Sequence, residues 1–292
     1  MIDVLLGAFS LAFVAQALRI TVPYLLAALG GTLTERSGIV DLALEGKLLW
    51  GAFAAAVVTH ETGSPAAGIA AAALAGGAVA AVQALWSVRL GADQVVTGIA
   101  LNMAAFALTR FLLQVLYGQG ANSPPIEDVG TDVWTSPLLW LAIILAVAVA
   151  VVVGRTRFGL RLRAVGERPE AVAAAGVSIA RVRWIAVVAG GALAGLGGAQ
   201  LSLPVGGFVA EASGGRGYVA LAVVIMGAWR PVPVALMCLG FGAAEALQAR
   251  MQGAGTGLPP ELVRLFPYVL TLVLLAVVGG RGRAPSALGR RD

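Results

Sequence analysis

The chain has 292 residues, of which 59% are hydrophobic and only 12% charged, about half the charged share of an ordinary water-soluble domain. So apolar a chain excludes a soluble globular enzyme, and its net charge of +5 becomes a matter of membrane sidedness, with no nucleic-acid partner expected. A single cysteine and a single histidine exclude an intramolecular disulfide and the usual metal cluster; Cys238, inside an apolar run, reads as a small buried hydrophobe.

In chain order, the first apolar piece, Val4 to Leu18, is short and ends at Gln16 and Arg19. It either lies along the interface or forms the lower half of one long helix. Met1 to Asp3 lack the positive region of a signal peptide, so the N-terminus is expected to be retained. Crossings follow at about 20 to 34, 39 to 59, 65 to 88, 93 to 117, 136 to 154, 184 to 203, 215 to 229, 231 to 250 and 262 to 280, for eight to ten spans of a length that fits about 30 Å of hydrocarbon. Breakers separate them: Gly63-Ser64-Pro65, Pro124-Pro125, Pro204 to Gly207, Pro231 and Pro233, and Pro259-Pro260. Gly206 to Gly217 is too glycine-rich for a plain helix and reads as a loop or a re-entrant hairpin, a form that survives at membrane depth only under cover of protein or water. Gly191, Gly195, Gly198 and Ser202 make a small-residue face suited to close helix packing. The fold class is all-α: one polytopic membrane domain over residues 1–292, with a loop at 155–183 and a basic tail at 281–292.

Seven arginines crowd Arg155 to Arg183, which places that loop in the cytoplasm. Alternation then brings Arg36, Lys47, Arg89, Arg230 and the tail arginines to the same side, with the C-terminus cytoplasmic. The loop from Gly118 to Thr135, which carries Glu127, Asp128 and Asp132 and no basic residue, falls outside.

No engine for chemistry is found. The surroundings of Lys47, the only lysine, lack the first glycine and the Ser/Thr of a phosphate-binding loop, so the chain binds no cofactor and hydrolyses no ATP itself. Polar residues inside spans are costly in lipid and therefore mark a candidate pathway. Asp41 and Glu45, four apart, share one helical face; they brace the break after Gly38 by pairing with Arg36 or Lys47, or they touch substrate. Gln94, Gly98, Asn102 and Thr109 form a second stripe, in which Asn102 either lines a pathway or bonds helices together. Glu245, Gln248 and Gln252 form a third, and Gln200 stands alone in its helix. Such groups, set among apolar walls, suit a small hydrogen-bonding solute.

Within the basic loop, Pro169 to Ala175 reads as a short Ala-rich helix, with Pro169 at a first-turn position and Gly176 as its stop. It is too short and too polar to span, so it lies flat on the cytoplasmic surface, free to dock into another protein. Glu170-Ala171 followed by Gly176 resembles the Glu-Ala-Ala-x-x-x-Gly coupling motif of bacterial ABC importer permeases, with Val172 in place of the second alanine and without the downstream Ile-x-Leu-Pro. RFGLRLRAVGERPEAVAAAGV resembles the cytoplasmic loop of the permease superfamily that serves ribose, branched-chain amino acids and nucleosides. LGGTLTERSGIVDLALEGKLLWGAF is similar to its nucleoside branch, which depends on basic membrane lipoproteins, with Asp41 where Asn is common and Lys47 where Met is common. ADQVVTGIALN and GRGYVALAVVIMGAW extend the likeness.

The resemblance implies the permease subunit of a nucleoside importer in a bacterial cytoplasmic membrane. An extracytoplasmic lipoprotein delivers substrate, a homologous second permease completes the pathway as a heterodimer in preference to a homodimer, and a cytoplasmic ABC ATPase binds ATP and Mg. Arg161, Arg163, Glu167, Pro169, Glu170, Ala171 and Gly176 then belong to the ATPase-coupling element. Asp41, Glu45, Gln94, Asn102, Gln200, Glu245 and Gln248 are the candidate substrate pathway. Two alternatives remain: an ion- or proton-coupled secondary transporter titrating Glu45 and Glu245, which gives the Glu170 helix no task, and the same ABC architecture carrying a sugar or a branched-chain amino acid.

Overall fold

A computed structural model of the chain describes residues 10–126, 133–253 and 282–290, together with Leu265, Val269 and Val273. Apart from those three residues, the expected span at 262 to 280 lies outside the described residues, as do the acidic residues Glu127, Asp128 and Asp132. The elements are α1 (Leu11–Arg36), α2 (Leu44–Thr62), α3 (Pro65–Ala84), α4 (Gln94–Tyr117), α5 (Pro137–Arg155), α6 (Arg157–Glu167), α7 (Pro169–Ala174), α8 (Ile179–Ser202), α9 (Arg216–Met226) and α10 (Pro231–Gly253). Among the described residues, six helices are long and apolar enough to cross a membrane: α1, α3 with its following turn, α4, α5, α8 with its following turn, and α10.

The helix ends follow from local chemistry. Ser10, Ser64 and Ser178 each cap a helix by accepting an N–H two or three positions into it, from Phe13, Ala67 and Arg181, and the Asp93 carboxylate accepts from Val95 and Val96. Gly63 and Gly118 end α2 and α4 in the left-handed conformation open to a residue without Cβ. The first apolar piece resolves, from Leu11 onward, into the beginning of a single helix of 26 residues, about 39 Å long.

Two expected spans are corrected. The second starts late, because residues 37–43 are not helical: Gly38 has φ +93°, and Asp41 stands in the connecting turn, off the helical face it was expected to share with Glu45. The crossing expected at 215 to 229 is only α9, 11 residues or about 16 Å, half of what the hydrocarbon needs. The expectation of a loop at Gly206 to Gly217 is met by a run of turns up to α9.

The bundle is organised around α8, which packs against α1, α2 and α3. Its glycines make this possible. A Cβ on Gly191 would collide with Gly76 and Ala80 of α3, one on Gly195 with Ala72 of α3, one on Gly198 with the backbone of α2 at Leu48, and one on Gly190 with Gly30 of α1. Helices in lipid gain nothing from expelling water, so dispersion between such closely approached backbones carries the association. Outward-facing Leu74, Met103, Phe111, Ile144 and Leu236 are each more than 60% exposed, as a lipid-facing surface requires.

Contacts define two faces. On one lie α6, α7, the end of α1 and the C-terminal segment: Ala287 N–H donates to Gly166 O (2.8 Å), Gly289 N–H to Gly38 O (3.0 Å) and Gln94 Nε2 to Arg290 O (3.5 Å). On the other, the chain after α4 is stitched to the chain after α8 by Ser123 N–H to Phe208 O (2.8 Å), Ile126 N–H to Gly206 O (2.9 Å) and Ala210 N–H to Ala121 O (2.7 Å). The tail thus shares a face with the basic loop. Lys47, expected among that face's cations, is instead fully buried.

Candidate functional site

A string of buried polar groups runs through the middle of the bundle. Lys47 Nζ donates to both oxygens of Asp41, at 2.6 and 2.7 Å, with both side chains fully buried. Two charges at that depth persist only because each neutralises the other. Asp41 N–H donates to Glu35 Oε1 (3.3 Å), and Glu35 Oε2 accepts the indole N–H of Trp229 (2.5 Å). Trp229 O in turn accepts from Arg36 Nε (2.7 Å). These bonds hold a strained turn between α9 and α10, where Ala228 and Trp229 have φ of +53° and +55°, a region non-glycine residues enter at a cost of about 1–2 kcal/mol each.

Glu45 performs a different task. Its two oxygens accept the N–H groups of Gly215 and Gly217, each at 2.7 Å, so a carboxylate from α2 satisfies the open N-terminus of α9, where both the free donors and the helix dipole favour negative charge. Gly217 must be glycine for this approach, since a Cβ there would collide with Glu45.

Asn102 is saturated: Oδ1 accepts Gly46 N–H (2.8 Å), and Nδ2 donates to Leu42 O (2.8 Å) and to Tyr218 Oη (3.1 Å). Of its two expected roles the structure therefore shows the helix-bonding one. Gln94 is likewise spent on the chain itself, its Oε1 accepting Val40 N–H (2.7 Å). The α4 stripe of Gln94, Gly98, Asn102 and Thr109 is that helix's buried face. Asp41, Glu45, Gln94 and Asn102, expected along a pathway, are all buried and committed to internal partners, and none of them is in the lining of the two pockets described below.

The remaining expected residues lie nearer the face opposite α7. An open pocket of about 320 Å³ sits between α1, the end of α8 and the start of α9; Arg19, Gln200 and Arg216 are its polar groups, and Pro23, Val205 and Val209 are among its apolar ones. Arg19 Nη2 donates to Pro204 O (2.8 Å). Arg216 Nη2 donates to Glu245 Oε1 (2.8 Å), Tyr24 Oη donates to Glu245 Oε2 (2.8 Å), and the Arg216 guanidinium lies 5.9 Å from the centre of the Tyr24 ring. Gln248 lies half-buried on α10, one turn beyond Glu245, outside the pocket lining. Sequence reasoning finds Gln200 and Glu245 but misses Arg216, Arg19 and Tyr24; the available signal is two arginines outside the basic loop, Arg19 at the edge of an apolar run and Arg216 in a glycine-rich one.

On the other face, α7 forms where it was expected, from Pro169 to Ala174, and Gly176 stops it with φ +75°. Pro169 and Val172 anchor it, while Glu170, Ala171 and Gly176 are exposed. Sequence reasoning missed α6, although Thr156 caps it by accepting Gly159 N–H (3.1 Å) and Leu162 and Val165 bury one side of it. Between α6 and α7 lies a groove of about 480 Å³ with Leu160, Ala164, Ala171 and Val172 in its apolar lining and Arg161, Glu167 and Arg168 beside them. Arg163 is directed elsewhere, its Nε donating to Gly159 O (3.3 Å). Glu167 also accepts the Ser286 hydroxyl (2.9 Å), which fastens the C-terminal segment to α6.

Comparison with known proteins agrees with this architecture. Residues 13–275 match the family described as branched-chain amino acid transport system / permease component. The chain is similar to the nucleoside ABC transporter permease protein NupC of Lactococcus lactis, 36% identical with 94% of this chain and 95% of that protein covered. It is similar to the guanosine ABC transporter permease protein NupQ of Bacillus subtilis, 32% identical over 91% and 92%, and more distantly to the glucose ABC transporter permease protein TsgB13 of Haloferax volcanii, 28% identical over 87% and 73%. No solved structure matches the chain.

Proposed function

This chain belongs to the branched-chain amino acid transport system / permease component family, and on that premise we propose that it is the membrane permease of an ABC importer whose cargo is a nucleoside. The single observation that supports the transport mechanism is the socket on the α7 face. A six-residue helix is held by Pro169 and Val172, presents Glu170, Ala171 and Gly176 outward, and borders an apolar groove in which Leu160 is 63% exposed. Apolar surface left open beside Arg161, Glu167 and Arg168 fits a protein partner, and the partner this family needs is the ATPase that binds ATP and Mg. The socket face is then cytoplasmic, as the arginines of the loop argue, and the C-terminal segment bonded to Glu167 is cytoplasmic with it.

In this reading ATP-driven closure of the ATPase moves α6 and α7, and the bundle alternates between openings on its two faces. A homologous second permease completes the pathway, and an extracytoplasmic lipoprotein delivers the cargo to the opposite face. The two most similar relatives named above carry nucleoside and guanosine in their names, which supports nucleoside over sugar. The pocket, with only three polar side chains in its lining, also favours a solute that is partly apolar.

The coupling role is tested by reconstituting the importer with Glu170→Ala and Gly176→Val. Uptake is expected to fall at least about tenfold while the complex still assembles; unchanged uptake and unchanged ATP hydrolysis would remove the coupling role. For the cargo, calorimetric titration of the partner lipoprotein with nucleosides, glucose and leucine should give tight binding of nucleosides alone, and tight binding of leucine or glucose in their place would overturn it.

A further inference from the structure

We infer that the C-terminal segment, residues 282–290, is a working part of the coupling apparatus: it ties α6, the wall of the partner's groove, to the non-helical turns of the bundle and passes the partner's movement to them. This rests on the importer reading above and goes beyond it by naming a second coupling element, far from α7 in sequence. The segment touches four places in order. Gly282 lies so close to Ala228, in the left-handed turn between α9 and α10, that a Cβ on it would collide. Pro285 is buried beside Gly166 of α6. Ser286 donates to Glu167 Oε2 through its hydroxyl (2.9 Å) and its N–H (3.4 Å), and Ala287 N–H donates to Gly166 O (2.8 Å). The chain then crosses to the turn after α1, where Gly289 N–H donates to Gly38 O (3.0 Å). Its last contact is at α4, where Arg290 O accepts from Gln94 Nε2 (3.5 Å).

Chain ends that nothing ties down fray, whereas this one is built in. Ala287 is fully buried, so its bond to α6 is shielded from water, unlike the exposed pair of Ser286 and Glu167. Gly38 is shaped to the approach: it has φ +93°, and a Cβ on it would lie only 3.2 Å from Ala287 O. Glu167 stands in the groove lining as well, so one carboxylate belongs both to the surface open to a partner and to the attachment of the segment. A partner that displaces α6 therefore breaks the buried Ala287 bond, or carries the segment along and strains the bond from Gly289 to Gly38. The second course delivers the movement to residues 37–43, which are not helical, and to Ala228, at φ +53°. Positions of this kind, between helices, are where a change of dihedral angles is absorbed. Ser286 and Ala287 are thus positioning residues, acting on transport through α6 and Gly38.

The test uses the complete importer in proteoliposomes and reads solute taken up per ATP hydrolysed, with whichever solute the wild type carries. Ala287→Glu puts a charge into a space without water and so lifts the segment from α6 and Gly38, while the exposed side of α7 is untouched. Ser286→Ala removes only the hydroxyl bond to Glu167, and Ser286→Thr keeps it. Ala287→Glu is expected to lower uptake per ATP at least about fivefold with the ATPase still co-purifying, Ser286→Ala to lower it about two- to threefold, and Ser286→Thr to match the wild type. A segment that only stabilises the fold would reduce the yield of assembled importer and leave the ratio of the assembled fraction unchanged. An assembled Ala287→Glu importer with the wild-type ratio overturns the inference; where that variant does not assemble, a wild-type ratio in Ser286→Ala overturns it. A ratio that rises in either variant overturns it as well. If the wild type moves no solute on ATP, or if Glu170→Ala and Gly176→Val leave uptake and hydrolysis intact, the importer reading falls first.

Discussion

Replacing Lys47 by methionine isolates the energetics of the bundle's interior. Its ammonium lies 2.6 Å from Asp41, with both side chains fully buried. At an effective dielectric constant of about 20, that separation corresponds to about 6 kcal/mol of attraction, set against a desolvation cost of several kcal/mol for each ion. The pair is therefore close to neutral as a whole and strongly unfavourable when halved. Lys47→Met alone leaves Asp41 buried without its cation and is expected to cost about 3–5 kcal/mol, and Asp41→Asn alone, which strands the ammonium, about as much. The double variant restores neutrality and is expected to match or exceed the parent. In the nucleoside-branch pattern that the segment resembles, Asn and Met are common at these two positions, so the chain's two departures from the pattern are one exchange of a neutral pair for a charged one. Thermal unfolding of the purified protein in detergent, followed by tryptophan fluorescence, reads the cycle. Each single variant should lower the midpoint by roughly 5–15 °C and the double should recover it. Additive losses would refute the reasoning, because they would mean that the two charges do not support one another.

Three further outcomes follow from the same geometry. Asn102→Leu removes the partners of Gly46 N–H and Leu42 O and should cost about 2–4 kcal/mol, seen as a lower unfolding midpoint without loss of helical circular dichroism at low temperature. Glu45→Gln keeps the shape but weakens the cap on α9. Its effect should be local, with trypsin cleavage at Arg216 accelerated several-fold while the global midpoint shifts by an amount equivalent to about 1 kcal/mol. Gly195→Leu has no room against Ala72 and Gly76, whereas Gly240 has open space around it. The first substitution should abolish monodisperse protein on size exclusion and Gly240→Leu should leave it intact.

Much of the fold was legible because lipid leaves few alternatives: long apolar runs must be helices, and arginine marks one side. The α7 helix was legible for a local reason, a proline at its first turn and a glycine at its stop, both of which the structure retains. For the polar residues one of the stated alternatives is what the structure shows, Asp41 pairing with Lys47 and Asn102 bonding helices together, while the partners of Glu45 were not legible. Four-residue spacing suggested that Asp41 and Glu45 act together, but Gly38 breaks the helix before either, and their partners, Lys47 for one and the glycines at 215 and 217 for the other, lie six and about 170 residues away. A stripe on α4 showed that one face of it is special without showing that neighbouring backbone had already claimed it. Arg216 was hidden for the opposite reason, since a lone arginine in a glycine-rich loop carries no periodicity to betray the carboxylate 29 residues on that fixes it.

These contacts make α9 the element through which the two faces of the protein meet. Gly166 of α6 packs so tightly on the carbonyl of Arg36 that a Cβ there would collide with it. Arg36 and Glu35 in turn hold the Trp229 turn at one end of α9. At the other end, 11 residues or about 16 Å away, Glu45 receives the first N–H groups and Arg216 reaches the pocket. A helix this short, clamped by side chains, is flanked by Gly214-Gly215 on one side and the left-handed Ala228-Trp229 on the other, two places where a change of backbone dihedrals would let it move as a unit. Displacement of α6 by a partner is therefore felt at Arg216 only if α9 takes a second position. In the proposed cycle the two 2.7 Å bonds from Gly215 and Gly217 to Glu45 are the contacts that a shift of the first turn of α9 relative to α2 would strain. We therefore expect the capping carboxylate, and not the buried Asp41–Lys47 pair, to be the polar contact that changes in the proposed transport cycle; protection of the Glu45 cap from exchange that is the same with and without ATP in the assembled importer would refute this.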